Sequence, residues 1–437
     1  MTFRLVVLVV CLPLTGEVVF AGDVPLLGET VMLDPAGTGG DTFGSAVAID
    51  HSTAVVGAPT AVVGNARPGS ASVFVRAGGT WTMTTTLSAI DGSDADGFGQ
   101  SVAVSGDTIV IGAPKADIDF VPDQGAAYVF ARDPGTGLWF EQAKLTAFDG
   151  VGGDEFGRSV AIDGDLIVVG SDLISVDGED LRGAAYVHRW SDLSNSWVQE
   201  AKLIAPDGNA IDSFGIGVSV SGDTIAVGSP GSDAAFQDQG AVYVFQFNPS
   251  FGQWFWLGRL LAPDAGQSDN LSFRNGISIH RDIIIAGAVD NGNIGAAYVF
   301  RRQFINAQQV VWIFEAKLTP MDGQTSDQFG FSISQTGGSA LIGAPRADDG
   351  AVLDRGAGYF FTRSHNGQWT FRQKLVPAEG AAFDLAGWST ALSGTAALLG
   401  MPFADPNGAT SQGLVAAWSC GDLIFSDGAE EFNGCGL

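Results

Sequence analysis

The chain has 437 residues and a formal net charge of -27, with 46% hydrophobic and 16% charged residues. The hydrophobic content is too high for a disordered chain, and the acidic charge argues against nucleic acid as a partner, because phosphate binding requires a basic surface. A chain of this length usually forms two or three domains, but one closed array of internal repeats can also take up the whole length.

The first 21 residues have the features of a secretory signal peptide. Arg4 precedes an apolar run from Leu5 to Leu14, and the segment 19–21 ends on Ala21. We expect export with cleavage after Ala21, which places the protein outside the cell, in a periplasm or at the cell surface. Two alternatives stay open: an anchor helix, although the run is short for a bilayer span, and lipidation at Cys11. No later apolar run is long enough to cross a membrane.

Seven copies of one unit follow, spaced 55 to 59 residues apart. Each copy opens on a Phe-Gly pair or on a degenerate form of it. The openings are Phe43-Gly44, Phe98-Gly99, Phe156-Gly157, Phe214-Gly215, Phe273-Arg274, Phe329-Gly330 and Ala386-Gly387. In the fifth copy Arg274 is interpreted as replacing the glycine, and in the seventh Trp388 follows the altered pair.

Each copy contains four short apolar runs, which the stretch from Asp96 to Asp149 shows in full. The runs have four to eight residues, are rich in Val, Ile, Tyr, Phe and Trp, and are bounded by Gly, Asp and Pro, which is typical of β-strands. No stretch has helical periodicity over three turns. The second run, which ends in Gly112-Ala113-Pro114, is apolar at nearly every position and is therefore expected to be buried on both faces.

Seven copies of four antiparallel strands predict an all-β fold, a seven-bladed β-propeller. The last copy lacks a fourth run, whereas the chain carries an orphan fourth run at Leu26 to Leu33. We therefore expect the N-terminal strand to complete the last blade and close the ring, in one domain that spans residues 24–419. An open β-solenoid is the alternative, but it has no use for this arrangement of a missing and an orphan run.

These segments resemble the FG-GAP repeat family, whose repeats build the N-terminal propeller of integrin alpha subunits, and in particular its bacterial exported branch. The resemblance implies an extracellular propeller used for binding or adhesion, with no established reaction. Integrin-type blades hold calcium in an Asp/Asn-rich loop between the first two strands. Here that connection is a short turn such as Ser105-Gly106-Asp107 or Asp163-Gly164-Asp165, too short to wrap a cation. The family's calcium residues therefore have no counterpart at these positions.

The loops between second and third strands and the loops between blades should share one end of the propeller, here called the upper face. They contain most of the acidic residues. The candidate ligand-binding residues in these loops are Asp117, Asp119, Asp123, Asp177, Glu179, Asp180, Asp233 and Asp238. Two groups could each share a calcium ion, the only cofactor considered: Asp117, Asp119 and Asp123, and Asp348, Asp349 and Asp354.

The competing interpretation is that these aspartates cap turns, and it is preferred for the Asp of each Asp-x-Phe-Gly segment. On the opposite, lower face, third strands end in arginines, so that face should be more basic. These residues are Arg76, Arg132, Arg189, Arg301 and Arg363.

Catalysis has little support in the sequence. The four histidines do not recur beside a Ser or Cys as a nucleophile and its base would, and no zinc-ligand spacing occurs. A pair of glycosidase carboxylates stays open. Six tryptophans head fourth strands and should pack at the blade rim: Trp81, Trp139, Trp197, Trp254, Trp312 and Trp369. Trp388 does not fit this pattern.

The C-terminal segment 420–437 lies beyond the last repeat. Cys420 and Cys435 are expected to form a disulfide in an exported chain, with two free thiols as the alternative. The segment would then be either a cap on the propeller or a sorting or docking tag.

Three functions remain. The first is an exported, monomeric, non-catalytic binding or adhesion protein that recognises an extracellular protein or glycan through acidic upper-face loops. The second is a secreted enzyme acting on an extracellular polysaccharide with carboxylates at the axial mouth. The third is a structural cell-surface protein. None requires nucleic acid, or a membrane span after signal cleavage.

Overall fold

The computed structural model describes residues 27–306, 309–394 and 396–419. The predicted signal peptide and the segment with Cys420 and Cys435 lie outside these residues. Within them the chain forms 28 β-strands in seven four-stranded sheets, together with short 3-10 turns at Asn291–Asn293 and Pro406–Gly408. The all-β, seven-bladed propeller is thereby confirmed. No helix in the described ranges is both long and apolar enough to span a membrane.

The strands follow the same order in every blade, from the axis to the rim. The first strand of the chain is β1 (Leu27–Met32). Blade 1 contains β2 (Ala46–Asp50), β3 (Thr53–Ala58), β4 (Ser70–Ala77) and β5 (Thr80–Leu87). Blade 2 contains β6 (Ser101–Ser105), β7 (Thr108–Ala113), β8 (Ala126–Arg132) and β9 (Trp139–Leu145). Blade 3 contains β10 (Ser159–Asp163), β11 (Leu166–Ser171), β12 (Ala184–Ser191) and β13 (Ser196–Leu203).

The remaining blades repeat the pattern. Blade 4 contains β14 (Val218–Ser221), β15 (Thr224–Ser229), β16 (Ala241–Asn248) and β17 (Gln253–Leu260). Blade 5 contains β18 (Ile277–His280), β19 (Ile283–Ala288), β20 (Ala296–Asn306) and β21 (Gln309–Leu318). Blade 6 contains β22 (Ser332–Thr336), β23 (Ser339–Ala344), β24 (Ala357–Arg363) and β25 (Trp369–Leu375). Blade 7 contains β26 (Ser389–Ser393), β27 (Ala396–Met401) and β28 (Leu414–Ser419), and its outer strand is β1.

The ring closes through β1, as the orphan run predicted. In blade 7 the strand order is β1-β28-β27-β26, and β1 runs antiparallel to β28 with Thr30 opposite Ala417. The Thr30 hydroxyl also donates to the Ala417 carbonyl at 3.4 Å. The first and last described strands therefore belong to one sheet, which gives the propeller a hydrogen-bonded closure.

Adjacent blades approach most closely at the two glycine-containing signatures of the repeat. A Cβ atom at Gly57, in the Gly-Ala-Pro segment of blade 1, would lie 2.0 Å from the carbonyl oxygen of Gly99, which opens blade 2. Phe98 is fully buried there, with its ring 5.5 Å from that of Tyr128. The repeat therefore needs glycine because backbone packs on backbone, and phenylalanine because its ring fills the space between sheets.

The fifth copy departs from the sequence interpretation. Leu271, not Phe273, forms the parallel bridge that opens the blade, here with Gly240, and it is fully buried. Ser272 takes the glycine position with a φ of 70°. The expectation that Arg274 replaces the glycine is therefore wrong. Phe273 and Arg274 are instead inserted between this opening and β18.

The tryptophans that head the fourth strands pack as predicted. Each is partly buried against the core shared with a neighbouring blade, and none stands free on the rim. They are Trp81, Trp139, Trp197, Trp254, Trp312 and Trp369.

Candidate functional site

The upper face is formed by two classes of loop that hydrogen-bond to each other. Between blades 1 and 2, the Phe98 amide donates to the Pro68 carbonyl at 2.8 Å, which joins the inter-blade loop to the loop between β3 and β4. The Phe156 amide and the Gln124 carbonyl form the same contact one blade later, at 3.0 Å. Both loop classes therefore lie at one end of the propeller and form a fixed surface.

The aspartate of each Asp-x-Phe-Gly segment is buried, and its carboxylate accepts a backbone hydrogen bond within its own loop. In blade 2, for example, the Asp96 carboxylate accepts the Ser93 amide at 2.7 Å. The same bond to the amide three positions earlier occurs for Asp41, Asp96, Asp154, Asp212, Asp269, Asp327 and Asp384. This repeated bond supports the turn-capping interpretation. Burial raises the pKa of Asp212 to about 6.

A second recurring aspartate joins neighbouring blades. The Asp149 carboxylate accepts the Tyr186 hydroxyl at 2.8 Å and the Lys202 ammonium at 2.7 Å, although it belongs to the preceding inter-blade loop. Burial alone would raise the pKa of Asp149, but the bonds from Lys202 and Tyr186 outweigh burial and lower it. Equivalent groups occur at Asp91, Asp207, Asp264 and Asp322, with Arg259 replacing the lysine at Asp207. These acids are structural links.

The first acid of several candidate loops closes the loop on itself. The Asp117 carboxylate accepts the Asp123 amide at 3.1 Å, and the Asp233 carboxylate accepts the Asp238 amide at 2.8 Å. The Asp348 carboxylate accepts the Asp354 amide at 2.9 Å. The structure thus brings these predicted residues together in pairs, with a backbone amide as one partner of each pair.

The other candidate acids of blades 2 and 3 have diverse surroundings. Asp177 pairs with Arg182 at 3.0 Å, and Asp180 accepts the Ser175 hydroxyl at 3.1 Å. Across the described ranges, the side chains of Asp119 and Glu179 have neither a hydrogen-bond nor an ion-pair partner. Both residues are exposed to solvent.

The calcium prediction concerns the loops with Asp117, Asp119 and Asp123 and with Asp348, Asp349 and Asp354. In the second loop Asp349 already forms an ion pair with Arg355. Within residues 27–306, 309–394 and 396–419, no three His, Cys, Asp or Glu side chains are grouped as a metal site. Calcium binding at these loops stays a prediction.

On the lower face four of the predicted arginines, Arg132, Arg189, Arg301 and Arg363, are paired with acids. Arg132 lies 3.9 Å from Asp107, and Arg189 contacts Asp165 at 3.4 Å. Arg363 binds Glu315 at 2.7 Å. These contacts tie third strands to neighbouring turns and strands, which reduces the positive charge that this face presents.

The inserted Arg274 lies at the upper end of the propeller axis. Its guanidinium stands over the ring of Trp388 at 5.9 Å, although the two residues belong to blades 5 and 7. Its pKa is lowered by burial and by Arg158, which comes from blade 3. Residues from non-adjacent blades can meet in this way only near the axis. We call this place, with Arg158, Arg274 and Trp388, the axial mouth.

A row of aromatic rings borders the axial mouth across blades 5, 6 and 7. Phe273 lies 6.2 Å from Phe331, Phe331 lies 4.8 Å from Trp388, and Trp388 lies 5.5 Å from Phe403. The row runs outward from buried Phe331 to Phe403, which is 37% exposed. Trp388, which the rim pattern left unexplained, therefore belongs to an aromatic surface at the axis.

Two carboxylates of blade 3 converge on Arg158 beside the axial mouth. Glu155 lies 3.7 Å and Asp172 4.0 Å from its guanidinium. Burial raises the pKa of Asp172 to about 6, against the opposing charge of Arg158. Asp172 replaces the proline of the Gly-Ala-Pro segment and is only 3% exposed. Its Oδ1 has no hydrogen-bond partner within the described part of the chain.

Two cavities open near this surface. The axial channel below the mouth encloses about 130 Å³ and is lined by first strands, with Arg274 and Asn275 at its edge. A larger cleft of about 480 Å³ lies on the upper face between blades 6 and 7. Its walls include Arg346, Phe383 and Phe403. We call it the blade 6/7 cleft.

Sequence reasoning named the axial mouth only in general terms, as the place of carboxylates in a polysaccharide-degrading enzyme, and it did not identify the cleft. It placed function in the acidic loops of blades 2, 3, 4 and 6, which include the cleft residue Asp354, and it interpreted Arg274 as a damaged repeat signal. The irregular Trp388 was the one signal that could have pointed here. Arg346, Phe383 and Phe403 are single replacements within repeats, so no pattern marked them.

Six of the seven repeat copies match a known protein family. The model of the FG-GAP repeat family matches residues 29–74, 81–130, 139–188, 197–245, 312–361 and 369–415, which is more than half of the chain. The fifth copy, with its altered opening and insertion, lies between matched segments. No curated protein sequence matches the chain.

Proposed function

The chain belongs to the FG-GAP repeat family, and from this premise we propose that it is an exported, non-catalytic binding protein. It recognises an extracellular protein or glycan through the loops of its upper face. A rigid propeller supplies the placement of these loops, and their differing side chains supply specificity. FG-GAP propellers are in general binding or structural proteins rather than enzymes.

The observation that carries this proposal is the number of large apolar side chains that upper-face loops expose. Phe120 is 100% exposed at the tip of the loop between β7 and β8, with a φ of 71°. A bulky residue in this conformation is uncommon and costs free energy. Phe148, Ile211 and Phe236 are also exposed on other upper loops. Apolar groups held in water among carboxylates suit a partner surface.

The test is binding of the purified chain to an array of extracellular proteins and glycans. We expect at least one partner, whose binding is weakened by Phe120→Ser or Phe236→Ser on the upper face. Leu193→Ser and Phe251→Ser are the matched controls, because both residues are exposed in loops of the lower face. Binding that is lost only with the lower-face variants contradicts the proposal. An array without any partner favours the structural cell-surface protein.

Calcium belongs to the same proposal as a ligand of the acidic loops. Isothermal titration of the chain with calcium tests it, with Asp117→Asn and Asp348→Asn as variants that each remove a ligand from one loop. Heat of binding that disappears with one variant assigns the ion to that loop. Absence of heat and of thermal stabilisation in the unaltered chain would remove calcium from the proposal.

The second candidate is a polysaccharide hydrolase, and the convergence of Glu155 and Asp172 on Arg158 favours it. A carboxyl group with a pKa of about 6 suits a general acid. The deep burial of Asp172 weighs against this function, because a substrate must reach the acid. Release of reducing ends from a panel of polysaccharides tests it. Activity that Glu155→Gln and Asp172→Asn abolish, but Glu179→Gln leaves intact, would establish the hydrolase.

A further inference from the structure

We propose that the blade 6/7 cleft is a binding site for a neutral saccharide. This inference rests on the proposed binding function and names the class of ligand that one part of the upper face takes. The lining of the cleft includes the aromatic Phe383 and Phe403, the charged Arg346, Asp354, Asp384 and Asp405, and two hydroxyl side chains, Thr410 and Ser411. At about 480 Å³ it is large enough for one or two sugar rings.

Two aromatic rings give the cleft its apolar walls. Phe383 is 58% and Phe403 is 37% exposed, so both offer ring surface to a ligand. Pyranose rings present a face of C–H groups that packs on aromatic rings, because such contact buries apolar surface without removing hydroxyls from their partners. The contact of Phe403 with Trp388, at 5.5 Å, fixes one wall in place.

This aromatic pair occurs at one junction of the propeller. The residue after the Gly-Ala-Pro segment is Phe403 in blade 7, and the equivalent positions hold Thr60, Lys115, Leu173, Gly231, Asp290 and Arg346. The residue before the conserved loop aspartate is Phe383, and the equivalent positions hold Gly40, Ala95, Gly153, Ile211, Ser268 and Ser326. Repeat packing therefore does not require either phenylalanine.

The polar groups of the cleft are partly unused by the protein itself. Among the described residues, neither the Arg346 guanidinium nor the Asp354 carboxylate has a hydrogen-bond or ion-pair partner. One carboxylate oxygen of Asp405 accepts a hydrogen bond from the Ser411 amide at 2.6 Å, which leaves the other oxygen for a ligand. The cleft thus presents both donors and acceptors, which is what a ligand with several hydroxyl groups requires.

The lining carries charges of both signs, which favours a ligand without charge of its own. Asp354, Asp405 and the buried Asp384 disfavour an anion such as a uronate, while Arg346 disfavours a cationic side chain placed beside it. A sugar hydroxyl can donate to either carboxylate and accept from the guanidinium, so it uses both kinds of group. A neutral saccharide can therefore pair with both the carboxylates and the guanidinium of the cleft.

The walls of the cleft are held by backbone hydrogen bonds. The Phe383 amide donates to the Leu353 carbonyl at 3.0 Å, and the Leu385 amide donates to the Asp354 carbonyl at 3.3 Å. On the other side, the Thr42 amide donates to the Ser411 carbonyl at 3.1 Å. These bonds join four loops in two pairs, one pair on each side of the cleft, so a ligand meets walls that are already formed and orders little on binding.

The experiment is titration of the full chain with neutral oligosaccharides of glucose, galactose, mannose and N-acetylglucosamine, with a uronate oligosaccharide as the charged comparison. We expect one neutral series to bind and the uronate to bind more weakly. Phe403→Ala and Arg346→Gln should each weaken binding by about fivefold or more, since each removes one contact with the sugar.

The matched control is Phe148→Ala, an exposed aromatic on the same face outside the cleft, which should leave sugar affinity unchanged. Because Phe403→Ala could loosen Trp388, circular dichroism and the melting temperature of both cleft variants are measured beside the titrations. Arg346 lies in an exposed position, so Arg346→Gln tests the site without touching the aromatic row.

Two results would overturn the inference. One is that none of the neutral oligosaccharides binds while the array described above yields another partner, in which case the binding function stands and the saccharide site falls. The other is that sugars bind with equal affinity to the unaltered chain, Phe403→Ala and Arg346→Gln. If neither sugars nor any array partner binds, the binding function fails together with the inference.

Discussion

His188 shows how one residue can couple the stability of a repeat to pH. It takes the place of the phenylalanine that ends the Gly-Ala-Ala-Tyr-Val-Phe segment in other blades, and its ring packs on Phe156 at 6.1 Å. It is 3% exposed, and burial lowers its pKa to about 4. The folded chain therefore holds it neutral under conditions where the unfolded chain would protonate it.

We predict that His188→Phe removes an acid-sensitive part of the stability. Between its unfolded pKa of 6.5 and its folded pKa of about 4, only the unfolded chain gains the proton, so acidification favours unfolding. Urea unfolding at about pH 7 and about pH 4.5 should show that the unaltered chain loses about 2–3 kcal/mol more than the variant. His365→Gln, at an exposed position, is the control, and an equal loss in all three proteins contradicts the prediction.

The Tyr-Asp-Lys groups make a second residue-scale prediction. Asp149→Asn keeps the shape of the side chain but leaves Lys202 without its counter-charge, which should cost about 1–2 kcal/mol of unfolding free energy. Because the folded pKa of Asp149 is lowered, this contribution should be present at neutral pH and disappear as the pH falls below its usual value of 3.8. Urea unfolding measures the cost, and Glu179→Gln should show none. A similar loss in both variants would indicate a general charge effect instead.

At the scale of elements, the joint between β1 and β28 pairs the first and the last described strands in one sheet. Thr30 and Ala417 face each other across it although they are 387 positions apart. A covalent link at this joint would close almost the entire chain into one loop, and long loops give the largest reduction in the entropy of the unfolded state.

We predict that the double variant Thr30→Cys, Ala417→Cys is more stable when oxidised than when reduced. The chain-entropy estimate for so long a loop is about 6 kcal/mol, reduced by whatever strain the bond introduces. Urea unfolding of both redox states gives the difference, and the unaltered chain under the same two conditions corrects for its native cysteines. No gain on oxidation, with the bond shown to be formed, would mean that β1 separates from blade 7 without unfolding the ring.

The elements also show what sequence can and cannot predict. Strand order, hairpin turns and ring closure follow from a pattern repeated seven times, so an irregular copy is corrected by its neighbours. The opening of the fifth copy was misassigned because Phe273 lies at a distance from the neighbouring openings that matches the other copies. The real opening, Leu271-Ser272, contains neither the phenylalanine nor the glycine of the repeat signature. The cleft was not predicted because Phe383 and Phe403 each occur in a single copy of the repeat. They form a common surface only in the folded chain, where three loops line the cleft.

At the scale of the whole molecule, the net charge of -27 opposes the compact ring, because like charges are closer in the folded state than in the unfolded chain. We predict that the melting temperature rises as sodium chloride increases from about 20 mM to about 300 mM, which shortens the screening length several-fold. Differential scanning calorimetry tests this, with sucrose as an uncharged comparison. A melting temperature that falls with salt would mean that the ion pairs between blades outweigh the repulsion.

The closure through β1 also sets an order of events in time. Among the described strands, β1 is synthesised first and its partner β28 last. The pairing of β1 with β28 can therefore form only after the residues between them have been made. Contacts between such distant parts of a chain form slowly, because the entropy lost on closing a long loop precedes the stabilisation that the contacts give. The individual hairpins can form as they emerge. We therefore expect the complete ring to form only after β28 has been synthesised.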